Sequence, residues 1–262
     1  MTWLWIGLLA CAPCEDDRDC SVSNGRYEFW TPAGWDETSA LPVLTYFHGY
    51  QGSPSAIRAD GDLMAQLSDA GVALLLPIGR DQRWNVRLRE GERDELAFMD
   101  SVLADVGARW PIDRARIYAS GFSIGGSMAS LLGCYRSDDY AAIAPMSGTF
   151  WDPMPTDCDP GPMPMQHTHG TADETWPWMG RSFSETTAQG AVEDGVSVWR
   201  AVNGCTDQTV TETNGPLTCT VWTTCDGDAD VRMCLHDGGH ERRSGWPARQ
   251  LGWMLQFPTS EN

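Results

Sequence analysis

Lysine is absent from this chain of 262 residues, and all 18 of its basic residues are arginine. Without a side-chain amine the chain cannot form a Schiff base, complete a Walker-type phosphate loop or use a Ser-Lys mechanism of hydrolysis. A catalytic serine in this sequence would therefore need a histidine as its general base.

Positive charge as a whole is scarce, because 36 acidic residues bring the formal net charge to -18. A polyanion repels phosphate groups, which argues against nucleic acids and anionic membrane surfaces as partners. Neutral or cationic partners are expected instead. The simplest alternative is that the acidity serves only solubility or adaptation to salt.

Internal repeats and linkers rich in Pro, Gly or Ser are also missing, so we predict one domain over residues 26–262. Residues 1–10 contain an apolar run too short to span a bilayer and are predicted to be an export signal, although no positive charge precedes the run. Residues 11–25 are predicted to be a tether. Residues 8–11 resemble a bacterial lipobox, which predicts a lipid anchor on Cys11 and a location outside the cell or in the cell envelope. A misassigned start or a frayed apolar tail is the alternative.

Nine cysteines are many for a cytosolic enzyme and support export. Leaving out Cys11, closeness in sequence and the strand pattern favour four disulfides: Cys14–Cys20, Cys134–Cys158, Cys205–Cys225 and Cys219–Cys234. A redox pair or a zinc site fits less well, because Cys11-x-x-Cys14 precedes the fold and no second such pair has histidines at ligand spacing. We predict no metal and no cofactor.

Short apolar runs alternate with segments of helical periodicity along most of the chain. Such runs suit buried strands of a parallel sheet, and their alternation with helices predicts a doubly wound α/β fold with a mostly parallel sheet. Strands are predicted at residues 41–47, 73–77, 116–120, 141–146, 163–168, 217–224 and 230–235. Helices are predicted at residues 61–70, 94–110, with Asp94 as its cap, 126–132, 183–202 and 247–257.

Residues 121–125 read Gly-Phe-Ser-Ile-Gly and join a predicted strand to a predicted helix. In that context the pattern is typical of a nucleophile elbow, where small neighbours allow a sharp turn that exposes the serine hydroxyl. Ser123 is therefore the predicted nucleophile. The backbone N–H of Ile124 is expected to be one donor of an oxyanion hole.

Candidate partners for Ser123 follow in the chain. Asp173 comes directly after a predicted strand and a short turn, and is the predicted acid that orients the base, with Glu174 as the alternative. His240 lies in a glycine-rich stretch after the last predicted strand and is the predicted base. His236 is its alternative, but it continues the strand pattern and is expected to pack there.

The segment His-Gly-Tyr-Gln-Gly at residues 48–52 is expected to supply the second oxyanion donor from the backbone of Tyr50. His48 is a candidate for fixing this loop and for binding substrate. Thirteen tryptophans are more than one core needs, so those near the motifs are candidates for lining an acyl or aromatic pocket, with plain packing as the alternative: Trp84, Trp151, Trp176, Trp178 and Trp246. Trp246 in particular could instead clamp the His240 loop.

Together these motifs resemble the polyhydroxybutyrate depolymerase and feruloyl esterase branch of the α/β-hydrolases, over roughly residues 26 to 257. The resemblance is carried by residues 47–50, 112–118 with 121–126, 169–173, 199 with 203–205, and 238–240 with 246–247. It implies the α/β-hydrolase fold and the Ser-acid-His roles given above. The chain differs in having Ile124 where a small or polar residue is common.

These features predict an exported serine carboxylesterase that works through an acyl-enzyme on a small or oligomeric ester as a monomer. Feruloyl or acetyl esters of plant polysaccharides are the first expectation, and polyhydroxyalkanoate or another polyester is the second. A non-catalytic binding protein tethered to a surface is the alternative from another class. The alternating carboxylates at residues 226–230 look like a calcium loop, but Val231 stands where its glycine would, so a hairpin turn is expected there.

Overall fold

A ten-stranded mixed sheet organises the chain in the computed structural model, which describes residue 14 and residues 18–258. The predicted export signal and Cys11 lie outside the described residues. The strands are β1 (Asp19–Val22), β2 (Gly25–Trp30), β3 (Leu41–Phe47), β4 (Ala73–Pro77), β5 (Ile112–Phe122), β6 (Ala142–Met146), β7 (Met165–Gly170), β8 (Arg181–Ser184), β9 (Thr187–Gln189), β10 (Thr209–Asn214), β11 (Leu217–Trp222) and β12 (Val231–His236). The helices are α1 (Pro54–Arg58), α2 (Gly61–Asp69), α3 (Glu95–Arg109), α4 (Ile124–Tyr135), α5 (Val192–Val202) and α6 (Trp246–Met254).

The strand order is β1-β2-β4-β3-β5-β6-β7-β12-β11-β10. Strands β4, β3, β5, β6, β7 and β12 run parallel, and antiparallel pairs extend the sheet at both edges. Strands β3, β4, β6 and β7 are buried along their whole length, as expected where helices cover both faces of a parallel sheet. The parallel arrangement brings the carboxyl ends of these strands to one edge.

Helices cover the two faces of the sheet. On one face α3, α4 and α5 contribute Phe98, Met128 and Trp199 to the larger apolar cluster. On the other face α2 and α6 contribute Leu63 and Leu251 to the second cluster. The predicted doubly wound α/β class is therefore confirmed. Within the described residues, no helix is both long enough and apolar enough to cross a membrane.

The four predicted cysteine pairs are the four disulfides of the structure. Cys219 and Cys234 face each other on the neighbouring strands β11 and β12. Cys134, near the end of α4, ties the loop around Cys158 to the body of the domain. Each bridge restricts the unfolded chain and so stabilises the fold, typically by about 2–4 kcal/mol.

The sequence-based expectations differ from the structure at the edges of the sheet, where β1, β2 and β10 were not predicted, and in the segment before α5. The predicted tether over residues 11–25 includes β1, which pairs with β2 and buries Cys20, so the sheet begins before residue 26. The helix predicted over residues 183–202 begins only at Val192. Before it, the exposed strand β8 and the half-buried strand β9 form a hairpin, because residues 181–189 lack the apolar spacing with which Val192, Val196 and Trp199 bury one face of α5.

Candidate active site

Ser123 occupies a sharp turn between β5 and α4 at the carboxyl edge of the sheet. Its φ of 58° and ψ of -126° lie outside the regions that side chains favour. The turn holds because neighbouring backbone comes very close: a Cβ on Gly125 would lie 2.2 Å from the Phe47 carbonyl oxygen. This is the geometry that the Gly-x-Ser-x-Gly pattern predicts, and it presents the Ser123 hydroxyl above the sheet.

Three side chains that are distant in sequence meet at this edge. The Nε2 atom of His240 lies 2.9 Å from Ser123 Oγ, and its Nδ1 atom lies 2.7 Å from Asp173 Oδ2. With Nδ1–H donated to the carboxylate, Nε2 is left as the acceptor for the serine proton. The arrangement can therefore remove a proton from Ser123 and stabilise the imidazolium that results.

Asp173 is buried at the end of the turn after β7. Its Oδ1 atom accepts hydrogen bonds from the backbone N–H groups of Thr175, at 2.9 Å, and Trp176, at 2.7 Å. Burial alone would raise the pKa of Asp173, but the hydrogen bonds from His240 and the Trp176 N–H outweigh it and lower the pKa. The carboxylate thus stays ionised beside the imidazole, whereas Glu174 is exposed and the hydrogen bond of His240 Nδ1 goes to Asp173.

His236, the alternative base, is buried at the end of β12. Its Nδ1 atom accepts the Gly238 N–H at 3.0 Å, and its ring packs 4.3 Å from that of Trp246. The expectation that His236 packs in the strand agrees with this geometry. His236 and Trp246 together support the loop that carries His240.

A second pair of histidines, for which the sequence motifs predict no catalytic role, lies behind Asp173. His169 donates from Nε2 to the Trp176 carbonyl at 2.9 Å, so its Nδ1 accepts a hydrogen bond from His167 Nε2 at 3.2 Å. Burial lowers the pKa of both rings, most strongly that of His167. Two neutral imidazoles therefore brace the turn that holds Asp173. The sequence feature that could have revealed this pair is the alternation His-Thr-His at residues 167–169, in a strand buried on both faces.

Ile124 directly follows Ser123, and the loop that carries Tyr50 approaches Ser123 through Gly49, where a Cβ would lie 3.5 Å from Ser123 Cβ. In the part of the chain that the structure describes, the N–H groups of Tyr50 and Ile124 donate to no protein acceptor. Both are therefore free to bind a developing negative charge. The larger side chain at position 124 does not change the availability of the Ile124 backbone N–H.

The loop that carries Tyr50 is held from below by His48. The His48 Nε2 atom accepts the Gly79 N–H at 3.1 Å, its Nδ1–H donates to the Gly49 carbonyl at 2.8 Å, and burial lowers its pKa. The Trp84 indole donates to the His48 carbonyl at 2.8 Å. His48 thus fixes the loop. This is one of the two roles expected for it, the other being substrate binding.

A cleft of about 290 Å³ opens beside Ile124. Trp84 and Trp151 line it, as expected for substrate-binding candidates, together with Phe183 from the β8–β9 hairpin. The remaining substrate-binding candidates, His48, Trp176 and Trp246, do not line this cleft. Trp178, half-buried, packs its ring 6.3 Å from His169.

The acidic segment at residues 226–230 forms a turn between β11 and β12. Asp226–Asp228 is one turn of 3₁₀-helix, and the Asp230 carboxylate accepts a hydrogen bond from Arg232 Nε at 2.8 Å. Among residue 14 and residues 18–258, no three His, Cys, Asp or Glu side chains are grouped so that they could hold a metal ion.

No family model matches this chain. Among curated proteins it is similar to feruloyl esterase B of Piromyces equi, at 29% identity over 85% of this chain. It is also similar to a probable feruloyl esterase C of Aspergillus terreus, at 24% identity over 83% of this chain. The chain spans only 43% of the length of the first relative, and 77% of that of the second.

Among solved structures, an acetyl xylan esterase from Aspergillus awamori superposes with a TM-score of 0.63 at 12% identity, covering 88% of this chain and 94% of that one. A thermostable esterase superposes with a TM-score of 0.58 at 15% identity, over 89% of this chain and 59% of that one. These structures show the α/β-hydrolase fold. The sequence relatives confirm the resemblance to the feruloyl esterase branch.

Proposed function

We propose that this chain is a serine carboxylesterase that hydrolyses feruloyl or acetyl esters of plant polysaccharides. The observation that carries the proposal is the chain of two hydrogen bonds from Asp173 through His240 to Ser123, at 2.7 and 2.9 Å. The names of the sequence relatives support an ester as the substrate. The unpaired N–H groups beside Ser123 support a reaction that develops a negative charge on oxygen.

In the proposed acylation step, Ser123 Oγ attacks the ester carbonyl carbon while its proton passes to His240 Nε2. The carbonyl oxygen becomes negatively charged and accepts hydrogen bonds from the backbone N–H groups of Ile124 and Tyr50. When the tetrahedral intermediate collapses, the bond to the alcohol oxygen breaks. The imidazolium of His240 returns its proton to the departing alcohol, which leaves an acyl ester on Ser123.

In deacylation, His240 removes a proton from a water molecule that attacks the acyl carbonyl. Collapse of the second tetrahedral intermediate releases the carboxylic acid and returns the proton to Ser123. Asp173 keeps its negative charge throughout and stabilises the imidazolium in both steps. The low pKa of this carboxyl is consistent with that role.

The test is hydrolysis of p-nitrophenyl acetate by the wild type and by Ser123→Ala. Because the hydroxyl is the proposed nucleophile, turnover in Ser123→Ala should fall by at least about 10³-fold. Ser101→Ala is the matched control, since this α3 hydroxyl bonds only the Ala97 carbonyl. Survival of most of the rate in Ser123→Ala would rule out the proposed nucleophile.

A fluorophosphonate probe separates the enzyme from a non-catalytic binding protein. The folded wild type should form an adduct on Ser123, because the probe requires an activated serine. Absence of an adduct on folded protein would favour the binding protein. Rates on methyl ferulate, acetylated xylan, tributyrin and hydroxybutyrate oligomers would then rank the plant esters against the polyester alternative.

Export and lipidation of Cys11 are part of the proposal. Four disulfides in one domain support an oxidising compartment, where such bonds persist. Expression in a bacterial host followed by mass spectrometry should give a mature protein that begins at lipidated Cys11, and the lipid should be missing in Cys11→Ala. An unprocessed N-terminus on the isolated protein would contradict this.

We also propose that the enzyme works as a monomer; one chain contributes all three residues of the proposed triad, so the proposed chemistry needs no second copy. Sedimentation equilibrium should give the mass of one chain. A stable dimer at micromolar concentration would overturn the monomer proposal without affecting the proposed chemistry.

A further inference from the structure

Arginine is concentrated on one side of the candidate active site. Residues 80–93 hold five of the 18 arginines and only three acidic residues, although acidic residues outnumber basic ones by 36 to 18 in the whole chain. We call residues 80–93 the arginine segment. Arg93 is buried in an ion pair with Glu95. The other four arginines lie at the surface with three carboxylates, which leaves the segment slightly cationic on a strongly acidic protein.

The arginine segment is fastened to the loop that carries Tyr50. The Gln82 carbonyl accepts the Gln51 N–H at 2.9 Å, and the Trp84 indole donates to the His48 carbonyl at 2.8 Å. Arg83 lies between these two anchors. Its backbone is therefore held beside the expected oxyanion donors.

The guanidinium groups that line the cleft are only partly neutralised, because three arginines line it with a single acidic residue, Glu92. Arg83 and Arg80 are exposed, and neither guanidinium group has an ion-pair or hydrogen-bond partner among the described residues. Arg83, Arg87 and Arg89 all line the cleft beside Ile124. Arg87 donates to Thr186 and Thr187 of the β8–β9 hairpin, and the ion pair of Arg89 with Glu92 is loose, at 3.9 Å.

Arginines elsewhere in the described chain are commonly paired more closely. Arg232 lies 2.8 Å from Asp230, Arg136 lies 2.8 Å from Asp100 and Arg242 lies 2.7 Å from Asp60. A chain so rich in carboxylates can readily pair its guanidinium groups. A guanidinium that stays unpaired at the mouth of the cleft is therefore available to bind an anionic group of a ligand.

Exposed aromatic rings accompany these cations. Phe183 is 52% exposed and stacks on Trp151 with ring centroids 5.6 Å apart, and Tyr50 is 62% exposed in the oxyanion loop. Flat apolar faces beside guanidinium groups suit a ring-shaped ligand that also carries a carboxylate. An acidic sugar has both properties.

We propose that this cleft binds a carboxylate of the substrate, so that the preferred esters are those of acidic, uronate-bearing oligosaccharides. A guanidinium binds a carboxylate through two parallel N–H···O hydrogen bonds. The net negative charge of the protein repels such a polymer elsewhere and favours its approach at the arginine segment. This inference rests on the proposed esterase function of Ser123.

The test compares acetylated xylo-oligosaccharides with and without a glucuronic acid side group, as the ratio of their kcat/KM values. At low salt the wild type should prefer the acidic substrate about fivefold. Arg83→Gln should lower this preference about threefold, the range of one exposed ion pair. Raising the ionic strength to about 0.5 M should remove most of the preference, because salt screens exposed charges.

The matched control is Arg114→Gln, an exposed arginine near the start of β5, at the end of that strand opposite Ser123. It should keep the wild-type preference. A wild type without preference, or a preference that Arg83→Gln leaves unchanged, would overturn the inference. If Arg83→Gln does not fold by circular dichroism, the salt dependence of the wild-type preference decides.

The failure of this inference can be told apart from failure of the proposed function. Equal hydrolysis of the acidic and neutral substrates would overturn only the anion site. If neither substrate nor p-nitrophenyl acetate is hydrolysed, the proposed esterase function fails. Affinity electrophoresis in gels containing glucuronoxylan or neutral xylan then tests the anion site without turnover. Equal retardation of wild type and Arg83→Gln in the glucuronoxylan gel would overturn the anion site.

Discussion

Gly148 packs directly on the backbone of Ser123, so closely that a Cβ at position 148 would lie 1.9 Å from the Ser123 carbonyl oxygen. The unusual backbone angles of Ser123 therefore depend on a glycine 25 positions further along the chain, after the end of β6. This contact links the turn that exposes the proposed nucleophile to the packing of the next strand.

The Gly148→Ala variant is expected to lower both stability and turnover. The added methyl group meets backbone, which cannot move aside as a flexible side chain could, so the free energy of unfolding should fall by about 1–3 kcal/mol. Urea denaturation measures this change. Gly61→Ala is the control, because a Cβ there has no atom within 4 Å, and it should cost little. Equal stabilities of the two variants would contradict the close contact.

Replacing the buried acid should reduce turnover much more than replacing its neighbour. Asp173→Asn removes the charge that stabilises the imidazolium of His240, and kcat for p-nitrophenyl acetate should fall by about 10³- to 10⁴-fold. Glu174→Gln, at an exposed side chain, should change kcat less than about twofold. The reverse ranking would assign the role to Glu174.

The histidine pair behind Asp173 predicts a loss of stability in mild acid. Burial lowers the pKa of His167 and His169 in the folded protein, whereas in the unfolded chain both titrate near pH 6.5. The unfolded state therefore binds more protons below that pH. The stability contributed by the neutral rings is complete above pH 6.5 and declines as the pH falls, by at most about 1.4 kcal/mol per pH unit for each ring.

Urea denaturation of wild type and His167→Gln between pH 7.5 and 5 measures this effect. Glutamine keeps a hydrogen-bond donor but cannot titrate, so the slope of unfolding free energy against pH should be smaller in the variant. Parallel slopes would show that His167 is not held neutral in the folded protein.

Removing the disulfide between Cys134 and Cys158 should lower the free energy of unfolding by about 2–4 kcal/mol, since the bridge closes a loop with a sequence separation of 24 residues. The double variant Cys134→Ala, Cys158→Ala should still hydrolyse p-nitrophenyl acetate at low temperature, because neither cysteine lies in the proposed triad. Thermal unfolding followed by circular dichroism gives the size of the change. An unchanged melting temperature would contradict the expectation.

Local patterns predicted most of the central sheet and its helices. Apolar runs such as that of β3 suit only a strand buried on both faces, and Asp94 caps α3 through hydrogen bonds to the N–H groups of Leu96 and Ala97, as predicted. The edge strands were missed because they are short or exposed. Strand β10, for example, is exposed along its whole length and has no alternation of buried residues to reveal it.

The tryptophan candidates show where residue type alone is insufficient. Trp84 and Trp176 both lie near catalytic motifs in the sequence, yet of these two tryptophans only Trp84 lines the cleft. Trp176 is buried, donates its indole N–H to the Gly190 carbonyl and gives its backbone N–H to Asp173. A large aromatic side chain can line a pocket or support one, and its neighbours in space decide between these roles.

The sequence by itself determined the order of the central strands and helices, the sharp turn at Ser123 and the chemical types of its partners, because these follow from local spacing and residue chemistry. Only the tertiary structure decided that His240 Nε2 lies 2.9 Å from Ser123 Oγ, which of two adjacent carboxyls it contacts and which arginines stay unpaired beside the cleft. The physical reason is that such distances depend on how parallel strands bring remote loops to one edge of the sheet, and local spacing contains no information about that packing.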